Sequence, residues 1–230
     1  MKDLHALENF VSNHSIEESL DYMCKLFPGG VKFSTSLGQE DQVLTDIIFR
    51  NKLDVEIFTI DTGRLFYETY DLLDVTESRY QSKINLYFPD AVAVQDYVNE
   101  RGINGFYENV ENRKSCCEIR KVEPLNRALK GTSVWVTGIR AQQSENREGM
   151  RLIEWSAARS LYKFNPLLHW TYDEILQHLN TFKVPYNKLH DKGYISIGCA
   201  PCTRAIEPGE DPRAGRWWWE TSKKECGLHQ

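Results

Sequence analysis

The sequence contains no run of about 18 consecutive apolar residues, the length from which a membrane-spanning helix is predicted. Residues 1–15 lack the apolar centre of a secretory signal peptide, so we expect a cytoplasmic protein with no membrane partner. An excess of positive charge is also missing, because 28 Lys and Arg residues stand against 33 Asp and Glu residues, a formal charge of −5. Electrostatic binding to nucleic acid is therefore not expected.

What is present is an alternation of strand and helix patterns. Short apolar runs at 31–35, 55–60, 84–88 and 133–139 predict buried strands, and amphipathic helices are expected between them. This order predicts a single α/β domain with a mainly parallel, twisted sheet flanked by helices. After residue 156 the pattern weakens, and only the helix at 171–182 is clear.

We expect two regions along the chain. Residues 1–206 would form the nucleotide-binding α/β domain, in which 1–30 are a helical N-terminal extension. Residues 207–230, rich in Gly, Pro, charge and Trp, would form a mobile C-terminal arm anchored by Trp217, Trp218 and Trp219.

Three predicted strands end in polar, glycine-bearing turns, at 34–39, 61–64 and 138–140. Ligands of parallel α/β sheets bind beyond the carboxyl ends of the strands. The first turn precedes a helix, whose N-terminal N–H groups could hold a phosphate, although its serines could equally be helix caps. No Gly-Lys-Ser/Thr loop of the Walker type occurs. In the second turn, Arg64 could be a bidentate anion donor or a solvated charge.

Basic residues outnumber acidic ones between 101 and 151, which favours a polyanionic small molecule as ligand. Several of these charges would simply be solvated. The residues that we select as anion ligands are Arg120, Lys121, Arg140 and Arg147.

Four of the six cysteines form two pairs, a vicinal pair and a Cys-x-x-Cys pair, which predicts a metal site. Zinc is one interpretation. Adjacent side chains on a helix diverge by about 100°, however, which suits separate irons of one 4Fe–4S cluster better than a single ion. Cys24 lies in an amphipathic stretch and is expected to be a buried core thiol. The paired residues are Cys116, Cys117, Cys199 and Cys202.

Cys226 stands alone in a polar tail, between two lysines and His229. Neighbouring positive charge favours the thiolate, so Cys226 is predicted to be a reactive nucleophile.

Taken together, these motifs resemble the assimilatory adenylyl-sulfate (APS) reductases, relatives of the PAPS reductases within the adenine nucleotide α-hydrolase fold. The resemblance runs from about Val31 to His229. Gln39 is a departure, because relatives often have alanine there. The motifs, in order, are SLGQED, IDTGRLFYETY, KSCCEIRKVEPL, VTGIRAQQSENR, KFNPLLHW, GCAPCTRAIEPGEDPRAGRWWWE and KKECGLH.

The resemblance implies a role for each matching position. Four cysteines, Cys116, Cys117, Cys199 and Cys202, would ligate one 4Fe–4S cluster per chain, and Cys226 would be the catalytic nucleophile. The residues implied in substrate binding are Ser34, Ser36, Gly38 and Glu40 in the phosphate loop, Asp61, Gly63 and Arg64 beside the adenosine, Lys121, Arg213, Arg216 and His229 around phosphate and sulfate, and Arg140 and Arg147 in the closing motif.

The implied reaction is the thioredoxin-dependent reduction of adenosine 5'-phosphosulfate to sulfite and AMP through an S-sulfocysteine, in assimilatory sulfate reduction and cysteine biosynthesis. Glutaredoxin is an alternative reductant, and a homo-oligomer is left open. A PAPS or dual-specificity reductase is the alternative activity. An ATP-dependent adenylating or thiolating enzyme and a non-enzymatic iron–sulfur sensor are less favoured, because the first turn lacks an SGGxDS-type loop and a sensor would leave Cys226 unexplained.

Overall fold

The computed structural model describes residues 2–143 and 149–221. Its helices are α1 (Leu4–Asn13), α2 (Ile16–Leu26), α3 (Gln39–Arg50), α4 (Tyr67–Tyr80), α5 (Ala91–Arg101), α6 (Val110–Cys117), α7 (Glu123–Ala128) and α8 (Tyr172–Thr181). Its strands are β1 (Val31–Ser34), β2 (Glu56–Ile60), β3 (Asn85–Tyr87), β4 (Val134–Val136), β5 (Ile153–Ser156) and β6 (Leu161–Phe164). None of the helices in these ranges is both long and apolar enough to cross a bilayer.

The strands of the described residues form one sheet in the order β3-β2-β1-β4-β6-β5. β1 pairs in parallel with β2 and β4, β4 pairs in parallel with β6, and β5 is antiparallel to β6. The predicted α/β class with a mainly parallel sheet is confirmed. Because β1 and β4 are neighbours, the loops that follow them leave the sheet side by side.

By their contacts, the residues divide into two compact units. The first unit comprises Met1–Thr59, Asp71–Asn85 and Gly131–Asn187, and the second comprises Ile60–Tyr70, Leu86–Lys130 and Lys188–Gln230. Residues on both sides of position 206 belong to the second unit, and an isolated β-bridge joins Thr203 to Arg216. The expected boundary at residue 206 and the mobility of the arm beyond it stay predictions.

The two N-terminal helices form where predicted, because each has a capping residue and one apolar face. Asp3 accepts a hydrogen bond from the His5 backbone N–H at the start of α1, and Ser15 and Glu18 form a reciprocal capping box on α2. The apolar faces lie in the hydrophobic core of the first unit, to which they contribute Leu7, Val11, Leu20 and Met23.

The sequence analysis missed β6 because its pattern is interrupted by Lys163. This lysine is buried, with its Nζ 3.4 Å from Glu154 Oε1 on β5 and 5.7 Å from the centre of the Trp135 ring. A carboxylate partner and an aromatic face therefore compensate a charge inside the sheet.

The helix expected over 115–130 is also different in the structure. α6 begins earlier, at Val110, and ends at Cys117, and a π-helical turn over Glu118–Val122 separates it from α7. Such turns are often found at functional sites. Here the turn carries two buried basic residues, Arg120 and Lys121.

Candidate functional site

In the first unit, the loop between β1 and α3 is shaped by its own side chains. The Asp41 carboxylate accepts hydrogen bonds from both the backbone N–H of Ser36, at 2.5 Å, and the Ser36 hydroxyl, at 2.6 Å. Leu37, within this loop, adopts a positive φ of 60°, and its side chain is buried. Gly38 is the N-cap of α3, and among the described residues no side chain caps its N–H groups. These N–H groups are therefore placed to receive an anion.

Ser34 and Arg140 border the same loop. The hydroxyl of Ser34 accepts a hydrogen bond from Trp135 Nε1 at 2.8 Å, which orients it on the central strands. Arg140 follows β4 and donates from Nε to Glu40 Oε1 at 2.9 Å. The first unit thus brings together five of the predicted substrate-binding residues, Ser34, Ser36, Gly38, Glu40 and Arg140.

Gly138 permits this arrangement. A Cβ atom at this position would overlap the Oδ1 atom of Asp41, the residue that holds Ser36. Only glycine lets the loop after β4 approach the carboxylate so closely. Sequence analysis did not select Asp41, although its position in the first turn of the helix after a Ser-containing loop is a usable signal.

In the second unit, the turn after β2 is held by Asp61. Its Oδ1 atom accepts hydrogen bonds from the backbone N–H of Gly63 at 2.7 Å and from the Tyr70 hydroxyl at 2.8 Å. Gly63 has a positive φ of 70°, which glycine adopts without strain. Burial, with the Asp61 hydrogen bond and charge, raises the pKa of Tyr70 to about 12. Tyr70 therefore stays a donor to Asp61 at neutral pH.

Arg64 is engaged within the second unit. Its Nη1 and Nη2 atoms donate to Ile103 O at 2.6 Å and to Asn104 Oδ1 at 3.0 Å, and its guanidinium lies 5.0 Å from the Phe106 ring centre. These contacts give Arg64 a structural task. Its expected role beside an adenosine stays a prediction.

The four paired cysteines line a single cavity of about 20 Å³ in the second unit. Cys116 and Cys117 come from the last turn of α6. Cys199 is the N-cap of a short 3₁₀ turn, and Cys202 is the last residue of that turn. Phe106 and Trp217 pack against them. Within residues 2–143 and 149–221, no three His, Cys, Asp or Glu side chains converge closely enough to hold one metal ion.

Positive charge surrounds these thiols. The cavity is also lined by four basic side chains, those of Arg64, Arg113, Arg120 and Lys121. Arg120 Nη1 donates to Thr62 O at 2.6 Å, and the Arg113 guanidinium lies 4.8 Å from the Trp217 ring centre. Such a setting offsets the negative charge that several thiolates carry together.

The thiols differ in acidity. Burial is the largest influence on Cys199 and by itself raises its pKa, but Lys121, a hydrogen bond with Thr62 and the charge of Arg216 together lower it below the ordinary value. Burial and the neighbouring Cys199 raise the pKa of Cys202 to about 12, and burial raises that of Cys116. Cys199 is therefore the most readily ionised of these three.

Arg216 lies close to this cysteine pair. Its Nη1 atom donates weakly to Ser196 Oγ at 3.3 Å, and its guanidinium presses on Gly198, where a Cβ would collide with it. Its buried Nε has no hydrogen-bond partner among the described residues. Arg213 lies in the same segment, where its backbone N–H bonds to Asp211. Lys121 and Arg216 thus lower the pKa of Cys199. The anion-binding roles expected for Lys121, Arg213 and Arg216 stay predictions.

Three predicted residues, Arg147, Cys226 and His229, fall outside the described residues. Sequence reasoning also missed a buried ion pair, in which Arg113 Nε and Nη2 donate to the two carboxylate oxygens of Glu220 at 3.0 Å each. The pair connects α6 to the segment that carries Trp217. The spacing of the two residues in the sequence does not predict the pair.

Comparison with known proteins shows the family to which the chain belongs. Residues 30–205 match the family model described as the phosphoadenosine phosphosulfate reductase domain. The chain is 52% identical over 214 residues to an adenosine 5'-phosphosulfate reductase of Allochromatium vinosum, covering 93% of this chain and 83% of the relative. It is 50% identical over 218 residues to one of Rhizobium meliloti, covering 92% and 82%.

Among solved structures, phosphoadenylyl-sulfate reductase of Candida auris superposes with a TM-score of 0.74 at 27% identity, covering 90% of this chain and 98% of that one. An FMN adenylyltransferase of Candida glabrata matches at TM-score 0.55 and 19% identity, over 98% and 75% of the two chains, which shows a shared fold alone. The family model spans more than half of the chain, and a curated relative that the chain covers to 83% is 52% identical to it. The chain therefore belongs to the phosphoadenosine phosphosulfate reductase family.

Proposed function

We propose that this protein catalyses the thioredoxin-dependent reduction of adenosine 5'-phosphosulfate to sulfite and AMP, in cytoplasmic assimilatory sulfate reduction. The observation that carries the proposal is the convergence of four cysteines on one cation-lined cavity, in a chain 52% identical to a curated APS reductase. Cluster-free PAPS reductases lack both cysteine pairs, so the presence of both favours APS.

The donor set of the second unit suits an iron–sulfur cluster. Four thiols from two short segments, Cys116 with Cys117 and Cys199 with Cys202, line one cavity beside four cations. A cubane takes one thiolate per iron, so its ligands need not meet at a single point, as those of zinc must. When bound, the cluster would stabilise the fold and contribute to the local electrostatics rather than carry electrons.

The first unit offers the donors that a phosphate needs. The N–H groups at the start of α3, the hydroxyl of Ser34 and the guanidinium of Arg140 border one loop. Ser36 shapes that loop through its hydrogen bonds to Asp41. A helix N-terminus and an arginine both favour an anionic group. We assign this loop to the phosphate end of the nucleotide. Following the family resemblance, we also propose that Lys121, Arg213, Arg216 and His229 bind the phosphate and sulfate of the substrate, and that Arg147 belongs to the motif that closes the pocket.

The chemistry begins with two successive displacements, the first at the sulfate sulfur of APS and the second at Cys226 Sγ. The Cys226 thiolate attacks the sulfur of the phosphosulfate, the bond from sulfur to the bridging oxygen breaks, and AMP leaves with the electron pair. The product on the enzyme is an S-sulfocysteine. A thioredoxin thiolate then attacks Cys226 Sγ, sulfite departs, and the second thioredoxin thiol resolves the mixed disulfide. Thioredoxin is oxidised to its disulfide, and Cys226 is restored.

A second candidate is reduction of PAPS, alone or together with APS. It is favoured by the family model and by the likeness to the Candida auris enzyme. The adenylating alternative rests on fold likeness under 20% identity, and a non-enzymatic sensor would leave the phosphate loop unexplained.

The role of Cys226 can be tested by Cys226→Ser. Because serine cannot form the S-sulfo intermediate, we expect sulfite release to fall below about 1% of the parent rate, while APS binding and iron content are kept. Cys24→Ser is the matched control, since Cys24 is a buried thiol bonded to Asp54 O, and it should stay active. Cys199→Ser should lose iron. Full activity of Cys226→Ser would refute the assigned nucleophile.

A further inference from the structure

Arg140 is a nearly buried cation, with 7% of its side chain exposed. Among the described residues, its strongest side-chain bond runs from Nε to Glu40 Oε1 at 2.9 Å. Nη1 lies 3.5 Å from both Gln142 Oε1 and Trp170 O, at the outer limit of hydrogen bonding. The ion pair thus takes the Nε edge of the guanidinium, and the Nη edge makes weaker contacts that a stronger acceptor could replace.

The Arg140 guanidinium also packs against the aromatic ring of Tyr172. The Arg140 Cζ atom lies 5.6 Å from the centre of the Tyr172 ring, within the range of a cation–π contact. The Tyr172 hydroxyl donates to Gln39 Oε1 at 2.8 Å. Gln39 is almost completely buried, so this acceptor has a defined position. The ring is therefore secured at its far end.

Both members of the hydrogen bond are the first residues of helices. Gln39 begins α3, directly after the N-cap Gly38 of the phosphate loop. Tyr172 begins α8, whose N-terminus is fixed by a capping box between Thr171 and Glu174. The hydrogen bond between Tyr172 and Gln39 thus joins the N-terminal ends of α3 and α8 within the first unit. An alanine at position 39 could not form this bond.

We infer that Gln39 and Tyr172 are positioning residues, which act through Arg140 to set the binding of the substrate's anionic group. The hydroxyl–amide bond fixes the ring, the ring and Glu40 fix the guanidinium, and the Nη edge is then presented to the anion without reordering a long side chain. This inference rests on the proposed function, because the anion meant is the phosphosulfate of APS. Both residues contact Arg140 or each other and are assigned no part in the chemical step.

The test compares Gln39→Ala, Tyr172→Phe and the double variant, in steady-state assays with APS and in equilibrium APS binding to the same variants made in the Cys226→Ser protein. Loss of one neutral hydrogen bond should raise both the KM and the dissociation constant about five- to tenfold. The double variant should bind APS no more weakly than the single variant with the lower affinity, since both substitutions remove the same bond. kcat should change less than about twofold, since uniform binding alone is lost.

Two further variants sharpen the result. Tyr172→Leu removes the ring as well as the hydroxyl and should weaken binding more than Tyr172→Phe does. Gln177→Ala, at an exposed position of α8, is the matched control and should bind as the parent does. A merely structural role would lower the melting temperature and kcat together, without a selective effect on KM, and would refute the inference.

The experiment distinguishes a failure of the proposed function from a failure of the positioning role. If the parent protein neither binds nor reduces APS, the proposed function is wrong. If the parent does both but Gln39→Ala and Tyr172→Phe bind APS as tightly as the parent, or their effects add in the double variant, the positioning role is wrong. Because Gln39→Ala places a strong helix former at the start of α3, it tests the role even if Tyr172→Phe fails to fold.

Discussion

Replacing Glu220 by glutamine should destabilise the protein strongly. Glu220 and Arg113 form a two-pronged ion pair, with both bonds at 3.0 Å, in which only 3% and 1% of the two side chains are exposed. Glutamine keeps the shape but removes the negative charge, so the buried guanidinium loses its carboxylate partner. Breaking a buried pair in this way costs about 3–5 kcal/mol of the free energy of unfolding. The melting temperature should fall by on the order of 10 °C.

The chain offers a matched control in the pair Arg204–Glu210. It is also two-pronged, with Arg204 Nη1 and Nη2 each 2.8 Å from a Glu210 carboxylate oxygen, but 37% and 33% of the two side chains are exposed. Glu210→Gln should therefore cost less than about 1 kcal/mol. Urea unfolding followed by far-ultraviolet circular dichroism, on anaerobic samples of equal iron content, measures both variants. A loss for Glu220→Gln no larger than for Glu210→Gln would refute the reasoning from burial.

Two more predictions concern the first unit. Gly138→Ala places a methyl group on the Asp41 carboxylate and should raise the KM for APS about tenfold or more. Gly149→Ala is the control, because its methyl group meets no atom of the described residues within 4 Å, and equal KM values for the two variants would contradict the prediction. Burial by itself raises the pKa of Asp46, but hydrogen bonds from His178 and Tyr80 and the charge of Arg50 lower it overall. Its stabilisation is therefore present above the unfolded pKa near 4 and lost as pH falls through the lower folded value. Asp46→Asn should lose about 1–3 kcal/mol at pH 7 and show a flatter acid limb in urea unfolding; an unchanged pH profile would contradict the network.

Local signals explain how far the sequence predicted the fold. The N-terminal helices were visible because capping residues and apolar periodicity agree, as in Ser15 with Glu18 on α2. Strand β6 was not, because Lys163 breaks its apolar pattern and is compensated by residues of other strands, Glu154 and Trp135. The π-helical turn at Glu118–Val122 has no local signature either.

In the candidate site, too, features with a local sequence signal could be predicted, and features that depend on distant residues could not. Cysteine spacing predicted which thiols belong together, and the structure brings all four to one cavity. The role of Tyr172 could not be predicted, because its partner Gln39 lies on another element. Asp41 offered a local signal after the Ser-containing loop, but its close approach to Gly138 could not be predicted. Contacts of this kind arise only when the chain has folded.

The most direct test of the central claim is sulfite release from APS and from PAPS, measured in parallel with thioredoxin on anaerobically purified protein. The account predicts release from APS, with kcat/KM at least about a hundredfold above that for PAPS, equivalent to roughly 2.7 kcal/mol of transition-state discrimination. Equal rates would contradict the preference for APS. Release from neither nucleotide by protein that contains its iron would contradict the reductase assignment itself.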